Sequence, residues 1–215
     1  MRPRSSPALF GVLIYESVEP IDLGATVGVV SMARRVLPTV RATVIARHAG
    51  PVRLSGGLIV DAEYGIDTAP PCDVVIVCGG AGWPAAAADA RLLAFLRGLE
   101  PGGVASVCTG ALILAAAGVL DGRIATTRRR ALGAEPEAPL DRLGRDGSIR
   151  PVVASVVDDG VVTGGGVSLA IDATLYLLGR IYGHEVAADV AMVIEYERAY
   201  AANRDAMGVV VADHS

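Results

Sequence analysis

The chain is expected to fold as an α/β three-layer sandwich, a mostly parallel sheet with helices on both faces. Two observations predict this. Short, largely apolar runs recur at 10–15, 73–78 and 103–107, and none of them alternates polar with apolar residues. Runs of that length and character suit strands buried on both faces, as in a parallel sheet. Between and after them lie stretches of helical composition at 22–36, 84–98 and 109–117. Strand–helix alternation is what a sheet covered by two helical layers requires.

Taken in order, 10–15 is the first buried strand and 22–36 the first helix. Residues 41–47 alternate and include β-branched side chains, which predicts a second strand. Gly56-Gly57 marks a turn, with a short strand at 58–60. The run 73–78 ends in Gly79-Gly80, and the helix of 84–98 follows. Strand 103–107 leads directly into the small, apolar helix 109–117, stopped by Gly118. From 128 to 146 charge, proline and glycine mix, which fits a short helix plus loop. Asp158-Asp159-Gly160 is a hairpin signal between strands at 152–157 and 160–163. Helices are expected at 171–181 and 186–200, and the last residues are expected to be loosely held. No repeat or linker divides the chain, so residues 1–215 are expected to form one domain.

Hydrophobic residues make up 52% of the 215 and charged residues 20%, enough apolar material for a sizeable core and too much for a disordered chain. A net charge of −4 and 4% aromatic residues argue against a nucleic-acid partner, which needs a basic surface or stacking platforms. The nineteen basic residues are all arginine. Schiff-base chemistry and a Walker-type phosphate loop, which both need a lysine amine, are therefore excluded. The cysteines Cys72, Cys78 and Cys108 form no CxxC pair and no metal spacing. Their odd, sparse count suits a reducing compartment. At the N-terminus, residues 1–7 carry two arginines but no long apolar stretch, and 10–15 is too short for a signal h-region or a membrane span. The expectation is a cytoplasmic protein with no membrane partner, no metal and no cofactor.

The strongest chemical signal is Val104-Ala105-Ser106-Val107-Cys108-Thr109-Gly110-Ala111-Leu112. An apolar strand runs into a nucleophilic residue type, and a helix of small residues starts at once. This is the pattern of a nucleophile elbow, in which a tight turn lifts one side chain clear of the sheet. The N–H groups of the new helix favour an anion there. A depressed thiol pKa and a thiolate near neutral pH are therefore expected at Cys108. Cys72 and Cys78 read as ordinary buried cysteines.

Asp22 lies just past the first strand, on the edge where ligands bind in open parallel sheets. Cys108 lies at the same edge, so the two can meet; Asp is equally a favoured helix N-cap. Glu16 is a second acidic candidate. Gly79 and Gly80 follow another strand on that edge. Their N–H groups suit an oxyanion site, or the pair is an ordinary turn. The Thr109 hydroxyl suits orienting a substrate or water, or local capping. His48, His184 and His214 are too scattered to assign a base.

Cys108-Thr109-Gly110, with Ala-Leu-Ile-Leu-Ala-Ala-Ala-Gly-Val-Leu-Asp-Gly-Arg-Ile-Ala-Thr-Thr over 111–127, resembles the ThiJ/PfpI superfamily. The likeness is greatest to the branch of isonitrile hydratases and sensor domains of AraC-type regulators. Ile21-Asp22-Leu23, Val77-Cys78-Gly79-Gly80 and the segment from Asp158 to Asp172 extend it, so that it covers 10–195. The resemblance implies a flavodoxin-like fold of the class I glutamine amidotransferase type, a homodimer and a small-molecule substrate. It also implies a catalytic pair in which Cys108 attacks an isonitrile and Asp22 supplies the proton. Arg128-Arg129 replace the branch's His-Trp, Cys78 replaces its loop proline, and Ala25-Thr26 replace a Gly-Pro pair. An arginine at 128 suits a carboxylate-bearing substrate or a solvated surface position. Peptidase-like members carry histidine where this chain has Thr109, which turns the expectation away from them.

Two other functions stay open. One is a ligand-sensing domain; regulators of the branch add a DNA-binding region of about a hundred residues, an ordinary domain size, and its absence from these 215 residues favours the enzyme. The other is a glyoxalase, a deglycase or a redox-responsive thiol protein.

Overall fold

The structure is a computed structural model, described here for residues 1–133 and 135–212. The chain opens with strand β1 (Ala8–Leu13), helix α1 (Pro20–Ala33), strand β2 (Val40–Ala46) and a hairpin of β3 (Gly50–Arg53) and β4 (Ile59–Ala62). Strands β5 (Tyr64–Gly65) and β6 (Val74–Val77), helices α2 (Trp83–Ala86) and α3 (Ala90–Arg97), strand β7 (Val104–Val107) and helix α4 (Gly110–Ala116) follow. Next come β8 (Ile124–Ala125), α5 (Pro139–Leu143), β9 (Arg150–Pro151), and the hairpin β10 (Val156–Asp158) and β11 (Val162–Gly164). Helices α6 (Ala170–Tyr182), α7 (His184–Val193) and α8 (Glu197–Met207) and strand β12 (Val209–Val211) complete the chain.

Eight strands form the central sheet in the order β12-β10-β11-β7-β6-β1-β2-β5. Every neighbouring pair is parallel except β10 and β11. The α/β sandwich read from the sequence is therefore the fold. Its cause is visible in the burial: all four residues of β6 and of β7 are buried, so a continuous apolar strand fits only under cover on both faces. Phe10, Ile76, Leu114 and Leu175 are among the largest fully buried side chains of the core.

Register places the carboxyl ends of the central strands level. Leu13 pairs with Val77, Val77 with Ser106, and Val107 with Gly164. The loops after β1, β6, β7 and β11 therefore open on a single edge.

Five elements differ from the sequence expectation, and the strand expected over 152–157 is one of them: it forms only from Val156, as β10. The helix expected over 84–98 breaks at Asp89, whose carboxylate accepts the N–H groups of Arg91 (2.9 Å) and Leu92 (3.1 Å) and so starts α3 afresh. The helix expected over 186–200 ends at Val193; Glu195 turns left-handed at φ 53° and α8 begins beyond it. The strand at 58–60 begins one residue later and pairs with β3, which the charged and proline-containing sequence around it hid. The segment 209–211, expected to be loose, is an edge strand parallel to β10. His214 lies outside the described residues.

Candidate active site

Strand β7 ends at Val107 and helix α4 begins at Gly110, which leaves Cys108 and Thr109 to make the turn. Cys108 takes φ 51°, in the left-handed region, a conformation that costs an L-residue about 1–2 kcal/mol. Three contacts hold it there. The Cys108 N–H donates to the Gly165 carbonyl at 3.1 Å, and the Thr127 hydroxyl donates to the Cys108 carbonyl at 2.5 Å. Gly110 permits the third: a Cβ on it would lie 2.1 Å from the Val77 carbonyl oxygen, so only glycine lets α4 start against β6.

Asp22 sits in the first turn of α1 and is fully buried. Pro20 occupies the helix start, and no side chain caps it, so Asp22 is not an N-cap. Its carboxylate turns inward instead. Oδ2 accepts the Gly79 N–H at 2.8 Å, while Oδ1 is buried without a hydrogen-bond partner. Burial pushes the Asp22 pKa up to about 7; neighbouring Glu19 adds to the rise, and the Gly79 N–H, the Cys108 thiol and Arg128 oppose it.

Cys108 is 3% exposed, and burial drives its thiol up to about 12, with the Asp22 charge adding to the rise. The depressed pKa expected from the helix start is overturned. The Thr109 N–H and the Arg128 guanidinium do favour the thiolate, but desolvation and the facing carboxylate outweigh them.

The glycines expected to form an oxyanion site are already engaged. The Gly79 N–H holds Asp22, and the Gly80 N–H donates to the Thr109 hydroxyl at 2.9 Å. Both donors fix neighbouring side chains in place of standing free. The Thr109 hydroxyl makes no helix cap and ties the turn to Gly80. Glu16 is exposed and accepts the Arg53 N–H at 3.4 Å, so Asp22 is the acid that faces the cysteine. His48 and Glu16 line a separate cleft of about 340 Å³ together with Arg47, Asp89 and Val52.

Arg128 is not a solvated residue. Its side chain is 11% exposed and pairs with Glu135 at 2.5 Å, and it also donates to the Arg130 carbonyl. Gly166 makes the space, since a Cβ there would lie 2.5 Å from Arg128 Cβ. Two participants were missed from the sequence. Tyr15, read as an ordinary strand residue, donates from its hydroxyl to the Cys78 carbonyl at 3.0 Å, and burial raises its pKa well above the usual value. Glu135 lies in a stretch that carries no motif. Among the described residues no group of three or more His, Cys, Asp or Glu is placed to hold a metal ion, and no helix is long and apolar enough to cross a membrane.

Comparison with known proteins agrees with this arrangement. Isonitrile hydratase from Pseudomonas putida is 35% identical over 189 residues, which cover 86% of this chain and 77% of that protein. The HTH-type transcriptional regulator GbdR from Pseudomonas aeruginosa is 29% identical over 197 residues, 90% of this chain and 52% of the regulator. A ThiJ/PfpI family protein from Pseudomonas syringae superposes with a TM-score of 0.76 at 29% identity, covering 91% of this chain and 77% of that one. The model of the DJ-1/PfpI family matches residues 11–178, a span that runs from β1 through the Cys108 turn into α6. With the strand–cysteine–helix turn set on the carboxyl edge of a parallel sheet, this chain belongs to the DJ-1/PfpI family.

Proposed function

We propose that this protein is a cysteine-nucleophile enzyme of the isonitrile hydratase type, a lyase that converts an isonitrile and water to an N-substituted formamide. The observation that carries the reading is the buried pair of Cys108 and Asp22: burial raises the pKa of both, and the Asp22 charge raises that of Cys108 further while the thiol in turn favours the Asp22 carboxylate. Between the two high pKa values the pair holds one proton, and such a proton belongs to both groups. Thiol with carboxylate and thiolate with carboxylic acid are two placements of that same proton. The second placement supplies a nucleophile and a general acid together.

Cys108 sulfur adds to the terminal isonitrile carbon, forming a C–S bond. The shared proton passes through Asp22 to that carbon, giving a thioimidate. Water then adds to the same carbon, the C–S bond breaks, and the sulfur recovers its proton as the formamide leaves. Every atom of the product comes from the isonitrile and one water. Thr109, Gly79 and Gly80 position the pair, and Arg128 faces the bound substrate.

Purified protein incubated with small isonitriles is expected to yield the formamide, read by mass spectrometry, and Cys108→Ala is expected to fall to background. An unchanged rate in that variant would remove the mechanism. The likeness to a transcriptional regulator over 90% of the chain favours one other reading, a sensor that binds a small molecule in the same place. Saturable binding of the isonitrile with no formamide formed, in wild type and Cys108→Ala alike, would select it.

A further inference from the structure

We infer that Glu135 is an internal occupant of an anion site on Arg128, and that the electrophile attacked by Cys108 carries a carboxylate which takes Glu135's place. The inference rests on Cys108 as the nucleophile and names the substrate class for it. Arg128 is fixed relative to that nucleophile. Thr127, its neighbour in the chain, donates to the Cys108 carbonyl at 2.5 Å. On the other side Gly165 accepts the Cys108 N–H, and Gly166 has no side chain to displace Arg128. The Leu140 N–H donates to the Arg128 carbonyl at 3.1 Å, so the backbone on both flanks is tied down.

The two partners of the ion pair differ in setting. The Arg128 side chain is 11% exposed and that of Glu135 is 34% exposed. Glu135 comes from the irregular stretch between β8 and α5, and its second oxygen accepts the Leu132 N–H at 2.8 Å within that stretch. The guanidinium is thus the enclosed partner of the pair and the carboxylate the more exposed one. A guanidinium presents a planar fork of donors matched to a carboxylate, and stripping a buried ion of its partner is costly unless another anion replaces it. A carboxylate-bearing substrate makes that exchange like for like, whereas a neutral one displacing Glu135 would leave the cation with no carboxylate partner. Three arginines against one glutamate over 128–135 keep the region attractive to anions after the exchange. They also offset the repulsion an anionic substrate meets from ionised Asp22.

The test alkylates Cys108 with iodoacetate and iodoacetamide in parallel, with site-resolved mass spectrometry. The reagents share the attacked carbon and the leaving group and differ in carboxylate against carboxamide. Their rate ratio therefore cancels any change in thiolate fraction. The iodoacetate-to-iodoacetamide ratio at Cys108 is expected to fall roughly tenfold in Arg128→Gln, the scale of one charge-assisted contact. It is expected to rise several-fold in Glu135→Gln, where the occupant is neutralised. A ratio unchanged in Glu135→Gln overturns the inference even if Arg128→Gln fails to fold, and a ratio unchanged in Arg128→Gln overturns it directly. Because no turnover is measured, failure of isonitrile hydration with these ratios intact would sink only the hydratase reading. Hydration of neutral isonitriles with flat ratios would sink only this one.

Discussion

Gly79 holds Asp22 in two ways: its N–H donates to Oδ2 at 2.8 Å, and its missing side chain leaves room for that same oxygen. A Cβ at 79 would lie 2.8 Å from Asp22 Oδ2, 2.7 Å from Thr109 Oγ1 and 2.5 Å from Thr109 N. The acid and the turn after the nucleophile therefore approach each other across one glycine. Gly79→Ala is expected to push Asp22 and Thr109 apart, lowering isonitrile turnover by about tenfold or more, since misplacement of an acid by about 1 Å is worth up to about a hundredfold. Stability should drop by about 1–3 kcal/mol, the usual cost of overpacking. Turnover assays beside urea melts separate the two effects; wild-type turnover in a folded Gly79→Ala protein would contradict the positioning role.

Glycines elsewhere should behave oppositely according to the space around them. A Cβ on Gly110 would meet the Val77 carbonyl at 2.1 Å, while one on Gly28, within α1, has nothing within 4 Å. Gly110→Ala forces backbone apart and is expected to cost about 3 kcal/mol or more. Gly28→Ala is expected to stabilise by about 0.4–1 kcal/mol through the entropy it removes from the unfolded chain. Denaturant midpoints of the two variants, measured in one buffer, provide the comparison.

How far the sequence revealed this molecule follows from what each feature depends on. Buried parallel strands such as Val74–Val77 are continuous apolar runs, so the sheet was legible, and so was the Cys108 turn, which is local in sequence. Asp22 was legible as a residue at the right edge; its inward turn to Gly79 was not, because an aspartate in a first helical turn looks the same when it caps. The direction of the Cys108 pKa went wrong for a related reason. The helix start is written next to the cysteine, but the burial and the facing carboxylate come from 86 positions away. Glu135 and Tyr15 were invisible because their partners, Arg128 and the Cys78 carbonyl, are chosen by packing. The break at Asp89 was readable in principle, since an aspartate followed by helix formers is a start signal.

The C-terminal helix offers a test of packing away from the site. Asp172, fully buried on α6, accepts the Tyr196 hydroxyl at 2.9 Å and the Asn203 amide at 3.1 Å. Those two side chains flank and belong to α8, none of whose residues is buried. Asp172→Ala takes the acceptor from the Tyr196 hydroxyl, leaves the Asn203 amide only its bond to that hydroxyl, and removes the anchor, at an expected cost of about 1–3 kcal/mol. Hydrogen exchange is expected to speed up over 197–211, including β12, more than over β6 or β7. Uniform exchange across the chain would show that α8 is held by something else.

The shared proton of the Cys108–Asp22 pair makes a prediction with opposite signs for activity and stability. Asp22 has its pKa raised to about 7, whereas an unfolded aspartate titrates near about 4. Between those values the folded chain binds the proton more tightly than the unfolded chain, so stability is lost as pH rises from about 4 toward about 7. Activity moves the other way. Below about 7 both groups are protonated and the sulfur has no acceptor for its proton; above it the singly protonated pair dominates until the thiol itself titrates near about 12. The expected kcat/KM rises about tenfold per pH unit up to about 7 and then stays level. Asp22→Asn is expected to abolish turnover, to flatten the stability profile between about 4 and 7, and to let the thiol pKa fall, since the opposing charge has gone. Thiol titration by ultraviolet absorbance, isonitrile kinetics and urea melts across that range read all three. A kcat/KM that falls as pH rises through 7 would mean the doubly protonated pair is the reactive one and that the proton is not shared.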